Sequence, residues 1–150
     1  MKRAILAVLL ISCLACGFSY CEDIAIENLV SQYSHATDLQ RTQLDKHFKY
    51  GKVRVSGAVQ NVEPWNTFSE AKDLSASYYK VTTARKTAAD GTPYEIIIFY
   101  KNKESVISLN RGEQIDIECT FIKVLDQRLI FSVWMFAEEL TDLDKEMLSS

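Results

Sequence analysis

Glycine, proline and cysteine are scarce in this sequence, and each scarcity excludes a class of protein. The chain has 5 glycines and 2 prolines in 150 residues, which excludes a collagen-like chain and a disordered linker protein. After residue 21 only Cys119 remains of the 4 cysteines, so no disulfide framework holds the body of the chain. Hydrophobic residues make up 47% and charged residues 25%, and the length fits one globular domain.

Motifs of catalysis and of cofactor binding are also missing. The sequence contains no G-x-S-x-G nucleophile turn, no phosphate-binding loop and no dinucleotide-binding glycine pattern. The two histidines, His35 and His47, have no companions at metal-ligand spacing. Cys119 lies between Ile117 and Phe121 on the apolar side of a predicted strand, where a buried structural cysteine is expected. We therefore expect no enzyme, no cofactor and no metal site.

The first 21 residues have the layout of a secretory signal peptide. Met1-Lys2-Arg3 is basic, Ala4–Ala15 is apolar apart from Ser12 and Cys13, and small residues follow. Three stretches offer small residues where a signal peptidase cleaves, namely Ala15-Cys16-Gly17, Gly17-Phe18-Ser19 and Ser19-Tyr20-Cys21. No later apolar run reaches about 18 residues, so we predict no transmembrane helix in the mature chain.

Export places the protein in the periplasm or outside the cell, with a lipid-anchored protein as the alternative. Leu10-Ile11-Ser12-Cys13 resembles a lipobox, and Cys16 is a second candidate for lipid attachment. Removing residues 1–21 takes away Lys2 and Arg3 and no acid, which leaves 15 basic and 20 acidic residues and a net charge of about −5. Because nucleic-acid binders are usually basic, we do not expect nucleic acid as a partner.

Five strands are predicted in the body of the chain. Lys52–Val62 alternates valines with polar residues, except that Gly57 takes an apolar position, where a strand glycine indicates a bend. The other four strands are separated by turn signals such as Asp90-Gly91, and they span Tyr78–Lys86, Glu95–Tyr100, Gln114–Leu125 and Leu129–Ala137. Glu95–Tyr100 is apolar on both faces, so it is expected at the centre of the sheet.

Helices are predicted before the first strand. Ile24–Ser34 has apolar residues at helical spacing, and a second short helix is expected to begin with Thr42 as its N-cap and to end at Gly51. The predicted organisation is a signal peptide at residues 1–21, a helical segment at 22–50, a barrel at 51–138 and a frayed or loosely helical acidic tail at 139–150. The predicted fold class is mainly β, a five-stranded Greek-key barrel preceded by an N-terminal helix.

Two segments resemble the tRNA_anti-like family of bacterial OB-fold proteins. The stretch YGKVRVSGAV at residues 50–59 is similar to that family's Y-x-G-K-x-V-x-V-x-G-x-V opening, with the leading spacing one residue shorter. The stretch ISLNRGEQI at residues 107–115 is similar to its L-x-x-G-D-x-V entry to the fourth strand, with Glu113 where Asp is commoner. The resemblance implies an exported OB-fold barrel and carries no catalytic residue and no tRNA binding.

A ligand-binding surface is predicted where OB-folds normally bind, on the outer face of the second and third strands with the flanking loops. Aromatic side chains among cations provide stacking and charge neutralisation, although strand propensity alone also explains the aromatics. The candidate residues are Trp65, Phe68, Tyr78, Lys80, Arg85, Lys86, Tyr100 and Lys101. We expect a non-catalytic binding module of the cell envelope whose partner is a protein or a small anionic ligand; binding of an oligonucleotide or oligosaccharide on the same face is the alternative.

Overall fold

The structure is a computed structural model that describes residues 25–65 and 78–149. The helices are α1 (Ile26–His35), α2 (Asp38–Phe48), α3 (Glu104–Ile107) and α4 (Asp142–Ser149). The strands are β1 (Lys52–Trp65), β2 (Tyr78–Thr83), β3 (Lys86–Thr87), β4 (Pro93–Tyr100), β5 (Gln114–Asp126) and β6 (Phe131–Phe136).

Five of these strands close into a ring. β1 pairs with β2 and with β5, β2 pairs with β4, and β5 pairs with β6, all antiparallel. β4 and β6 close the ring as a parallel pair, and β3 adds a short strand at the edge of β4. This strand order is that of the OB-fold, a small Greek-key barrel, and the predicted fold class is confirmed. The predicted second strand is divided into β2 and β3 by a break at Ala84 and Arg85.

β1 pairs with β5 in its first half and with β2 in its second half, and Gly57 lies where the strand changes partner. Residues 52–58 pair with β5, and from Val59 onward the strand pairs with β2, with a register shift between Val59 and Asn61. A Cβ at Gly57 would lie 3.4 Å from Cε of Lys86 and 3.5 Å from Cβ of Thr83. Gly57 therefore lies where β1 changes partner, just before the bulge that bends the strand, and a Cβ there would make ordinary van der Waals contacts.

The barrel interior is filled by alternate residues of the strands and is closed by α1. Valines of β1 meet inward-facing residues of the other strands, including Val81, Ile96, Ile98, Phe121, Val133 and Met135. Four residues of α1 join the same cluster: Ile26, Leu29, Val30 and Tyr33. Full burial of each such aliphatic side chain contributes about 1.5–3 kcal/mol, so α1 is an integral part of the fold.

The second helix differs from its prediction at both ends. It begins one turn earlier than expected, because Thr37 and Gln40 form a reciprocal capping box that the prediction of Thr42 as N-cap missed. It also ends before Gly51, and the left-handed residue after it is Tyr50, with φ of 64°. Tyr50 N–H donates to the carbonyl of Phe121, and Phe121 N–H donates to the carbonyl of Gly51, so pairing with β5 fixes this turn.

The acidic tail, which was predicted to be frayed or loosely helical, forms the helix α4, and this helix contacts the barrel. Asp144 of α4 is 2% exposed, and Leu140 packs against residues on the outer face of the barrel. The predicted signal peptide, with Cys13 and Cys16, lies outside the described residues. Within residues 25–65 and 78–149 no helix is long and apolar enough to cross a bilayer.

Candidate ligand-binding face

The outer face of β2, β4 and β6 carries a second apolar cluster. On β4, Ile96, Ile98 and Tyr100 point into the barrel, whereas Ile97 and Phe99 belong to a separate cluster on the opposite side of the sheet. Because neighbouring residues of a strand point to opposite faces, both faces of β4 are apolar, as its sequence predicts. A barrel strand with an apolar outer side needs either a cover or a partner there.

Three rings define what we call the aromatic corner: Trp65, Phe99 and Trp134. The centroid of Phe99 lies 4.6 Å from that of Trp65 and 4.8 Å from that of Trp134, and the two indoles are 5.5 Å apart at 89°. Phe99 is fully buried beneath them, whereas both tryptophans are only partly buried. The indole N–H of Trp134 is buried and makes no hydrogen bond with the residues that the structure describes.

Strand register places one lysine on each side of the aromatic corner. Lys80 of β2 is paired with Phe99 in the sheet and makes an ion pair with Glu63. Lys123 of β5 is paired with Trp134, and its Nζ lies 4.8 Å from the centroid of that ring. Burial lowers the pKa of Lys123, and the nearby cation of Lys49 lowers that pKa further. A negative group on a ligand would therefore stabilise the charged form of Lys123.

A second part of this outer cluster, which we call the covered half, consists of Tyr78, Ile122 and Phe136. All three are at most 2% exposed. Leu140 and Tyr50 pack against the outer cluster, and Asp144 of α4 accepts a hydrogen bond of 2.6 Å from the hydroxyl of Tyr78. Burial of this hydroxyl and its bond to Asp144 raise the pKa of Tyr78. The C-terminal helix thus occupies part of the face on which OB-folds normally bind ligands.

The predicted site residues near this face fall into three environments. Trp65 forms the aromatic corner, and Lys80 borders it. Tyr78 belongs to the covered half, under the C-terminal segment. Tyr100 is not on the outer face, because it lies in the barrel interior at 8% exposure, where burial raises its pKa to about 12.

Three other candidates lie away from the aromatic corner. Arg85 is exposed in the break between β2 and β3, at the far end of β2 from Tyr78. Lys86 donates from Nζ to the carbonyl of Ser56 across the bend of β1. Lys101 makes an ion pair with Asp144, so it anchors α4. Phe68 lies outside the described residues.

Sequence reasoning missed three residues of this face: Phe99, Trp134 and Lys123. The available signal was the EIIIFY stretch of β4, whose outward residues require a cover or a partner once the barrel is closed. The alternation of β6 could then have placed Trp134 and Phe136 beside Ile97 and Phe99. Register between β5 and β6, which brings Lys123 to Trp134, follows a bulge and is not readable from sequence.

The side chains considered for catalysis or metal binding are buried in the fold or make contacts with neighbouring residues. Cys119 is 1% exposed, and burial raises the pKa of its thiol to about 12, so little nucleophilic thiolate forms. His35 lies 3.3 Å from Asp90, and His47 packs edge-on against Phe48. Across the part of the chain that the structure describes, no group of three or more His, Cys, Asp or Glu residues is placed to hold a metal ion.

The barrel topology makes this chain an OB-fold protein, and solved structures with distant similarity to it are known. No protein-family model and no curated protein matches the chain. A crystal structure described as a "putative nucleic acid-binding lipoprotein" from Klebsiella pneumoniae is similar, with a TM-score of 0.47 and 12% identity over 73% of this chain and 83% of that one. The mitochondrial single-stranded DNA-binding protein Rim1 of Saccharomyces cerevisiae has a TM-score of 0.35 and 13% identity over 58% of this chain and 90% of that one.

These similarities correct one expectation from the sequence. The acidic net charge predicted that nucleic acid is not a partner. This prediction is contradicted, because both similar structures are described as nucleic-acid-binding proteins. The physical reason is that net charge averages over the whole surface, whereas binding depends on the charge at one face. At this distance the two structures do not indicate what this chain binds. The resemblance to the tRNA_anti-like family rests on its two sequence motifs alone.

Proposed function

We propose that this protein is an exported, non-catalytic OB-fold binding module whose ligand-binding surface is the aromatic corner with its flanking lysines. The observation that carries the proposal is the contact of Trp65, Phe99 and Trp134 on the outer face of the barrel, with Lys80 and Lys123 on either side. Partly exposed indoles over a buried ring present a preformed apolar surface, which costs little conformational entropy on binding.

The angles between the rings favour a ligand with one inserted group over a ladder of stacked rings. The two indoles are perpendicular, and Phe99 is tilted by 50° and 58° from them. A planar or apolar group that stacks on one indole therefore meets the edge of the other. A carboxylate or phosphate beside that group would reach Lys80 or Lys123. This chemistry fits an acidic protein segment with an aromatic or aliphatic side chain, or a small anionic ligand that carries a ring.

The second candidate is an oligonucleotide or an oligosaccharide. It is favoured by the same juxtaposition of aromatic rings and lysines, because bases and sugars both stack on indoles and phosphates are neutralised by lysine. The two candidates differ in their salt dependence. A polyanion loses affinity steeply as salt rises, whereas a neutral oligosaccharide does not.

Intrinsic fluorescence gives a direct test, because both tryptophans of the chain lie in the aromatic corner. Titration with an acidic phenylalanine-containing peptide, a single-stranded oligodeoxythymidine and a neutral oligosaccharide identifies which class binds. Trp65→Ala is expected to weaken binding by about 1–3 kcal/mol, the usual loss for a central aromatic contact. Lys123→Ala is expected to weaken binding of the anionic probes only.

Two control variants test whether binding depends on the aromatic corner or on any exposed side chain of the protein. Arg54→Ala removes an exposed cation on β1 that pairs with Asp116, and Leu129→Ala removes an apolar side chain that is 87% exposed. Both variants are expected to bind as the wild type does. Equal losses in Lys123→Ala and Arg54→Ala would overturn the assignment of the site.

Export is the part of the proposal that rests on sequence alone. The basic, apolar and small-residue order of residues 1–21 supports a signal peptide, and Cys13 and Cys16 keep lipid anchoring as the alternative. The intact mass of the mature protein distinguishes them. Simple cleavage near residues 17–21 gives a soluble envelope protein, whereas acyl chains on cysteine give a lipid-anchored one.

A further inference from the structure

We propose that α4 is a releasable strap that limits the binding surface to the aromatic corner, and that its release extends that surface over the covered half. Asp144 of the helix bonds to Tyr78, which shares a buried cluster on the outer face with Ile122 and Phe136. These three residues adjoin the aromatic corner, since Tyr78 is 6.2 Å from Trp65 and Phe136 is paired with Phe99 in the sheet. The consequence for ligand access rests on the proposed function, whereas release of the helix is measured without a ligand.

The buried carboxylate of Asp144 attaches α4 to the barrel. Oδ1 of Asp144 accepts a hydrogen bond of 2.6 Å from Tyr78. Oδ2 accepts bonds of 2.8 Å and 2.7 Å from the backbone N–H and the hydroxyl of Thr141, and it forms an ion pair with Lys101. Asp144 N–H donates back to the Thr141 hydroxyl, so the same residues cap α4 and attach it to β2 and to the end of β4. We call these contacts of Asp144 the latch.

Among the α4 residues whose side chains are described, 142–146, Asp144 is the buried one. Asp142 and Leu143 are exposed, the latter at 45%. Leu140, just before the helix, packs against the outer cluster, and Lys145 places Nζ 5.4 Å from the ring of Tyr50. A helix of eight residues is not stable alone in water, so loss of the Asp144 contacts is expected to favour melting of α4. Release is therefore expected as one local event that leaves the barrel folded.

The ligand that binds after release must be longer than one that fits the aromatic corner alone. Opening would uncover Tyr78 beside Trp65 and Phe136 beside Tyr78, and it would free the Lys101 ammonium from Asp144. The extended surface would carry one more cation and two more rings. The strap thus sets the length of ligand that the face accepts.

Hydrogen exchange of the full-length chain tests the release directly. In Asp144→Asn the amides of α4 are expected to exchange about tenfold faster or more than in the wild type, with the β5 and β6 amides unchanged. The fluorescent probe 1-anilinonaphthalene-8-sulfonate, an aromatic anion, is expected to bind more strongly to this variant. The matched control is Asp142→Asn, which removes the same charge from an exposed position of the same helix. Equal exchange and equal dye binding in the two variants would overturn the proposal.

The wild type provides a second measurement in case Asp144→Asn does not fold. Native-state exchange in low denaturant is expected to show α4 opening at a lower free energy than β5 and β6. Exchange of α4 only through global unfolding would contradict the strap. If the helix opens but no probe gains affinity, the strap stands and the proposed binding face fails.

Discussion

The hydroxyl of Tyr78 donates a 2.6 Å hydrogen bond to Oδ1 of Asp144, and this bond joins the second strand of the barrel to its C-terminal helix. Both residues are buried, at 0% and 2% exposure. Tyr78→Phe removes the donor and keeps the ring, so we expect the free energy of unfolding to fall by about 1–2 kcal/mol. Urea denaturation measures this loss. Tyr79→Phe on the same strand is the control, and an equal effect of both substitutions would contradict a specific role for the Tyr78 hydroxyl.

The carboxylate of Asp144 predicts how the latch depends on pH. Burial raises its pKa, but bonds from Lys101, Tyr78 and Thr141 outweigh burial and lower the pKa from 3.8 to about 2. Since the pKa is lower in the folded state, the ionised carboxylate stabilises the fold above about pH 4, and this contribution is lost as the pH falls through 2. The stability difference between the wild type and Asp144→Asn is therefore expected to be constant from pH 7 to about pH 5 and to shrink in stronger acid. A difference that shrinks near pH 6 would contradict this assignment.

The thiol of Cys119 is expected to be inert in the folded protein. It is buried, and its pKa is raised to about 12. A disulfide reagent at pH 8 should therefore label the wild type and Cys119→Ala equally in native buffer, with one further equivalent in the wild type in denaturant. Faster native labelling of the wild type would show that this thiol is accessible.

Gly57 and Gly112 are expected to differ in how well they tolerate substitution by alanine. Gly57 lies at the bend of β1 without a positive φ, and a Cβ there meets only side-chain atoms at 3.4 Å or more. Gly112 has φ of 86° in the turn before β5. We expect Gly57→Ala to change stability by less than about 1 kcal/mol, and Gly112→Ala to destabilise the fold by about 1 kcal/mol or more. Thermal denaturation of both variants measures the contrast, and a larger loss at Gly57 would show that the bend has no room for a methyl group.

Local patterns were sufficient to predict the fold. The alternation of valines around Gly57 and the Asp90-Gly91 turn mark strands whose ends agree with the structure to within a few residues. The ring closure follows from five strands of this order. The Thr37–Gln40 capping box was readable but overlooked.

The candidate site was predicted only in part, because it depends on contacts between distant segments. Trp65 and Lys80 were named from their place on the second strand and its loop, but Trp134 comes from β6, about 70 residues later in the chain. Asp144, which accepts the hydrogen bond of the Tyr78 hydroxyl, lies in a tail that was predicted to be frayed or loosely helical. No periodicity in the sequence indicates that a C-terminal acid docks against the second strand.

The indole N–H resonances of Trp65 and Trp134 test the central claim most directly, because the chain has 2 tryptophans and both lie in the aromatic corner. The measurement is a titration of isotope-labelled protein with the acidic peptide, the oligodeoxythymidine and the oligosaccharide, with calorimetry to establish which of them binds. A probe that binds is expected to shift both indole signals, and Arg54→Ala is expected to leave those shifts unchanged. Binding that leaves both indole signals in place, or no binding of any probe at millimolar concentration, would contradict the assignment of this face as the ligand-binding site.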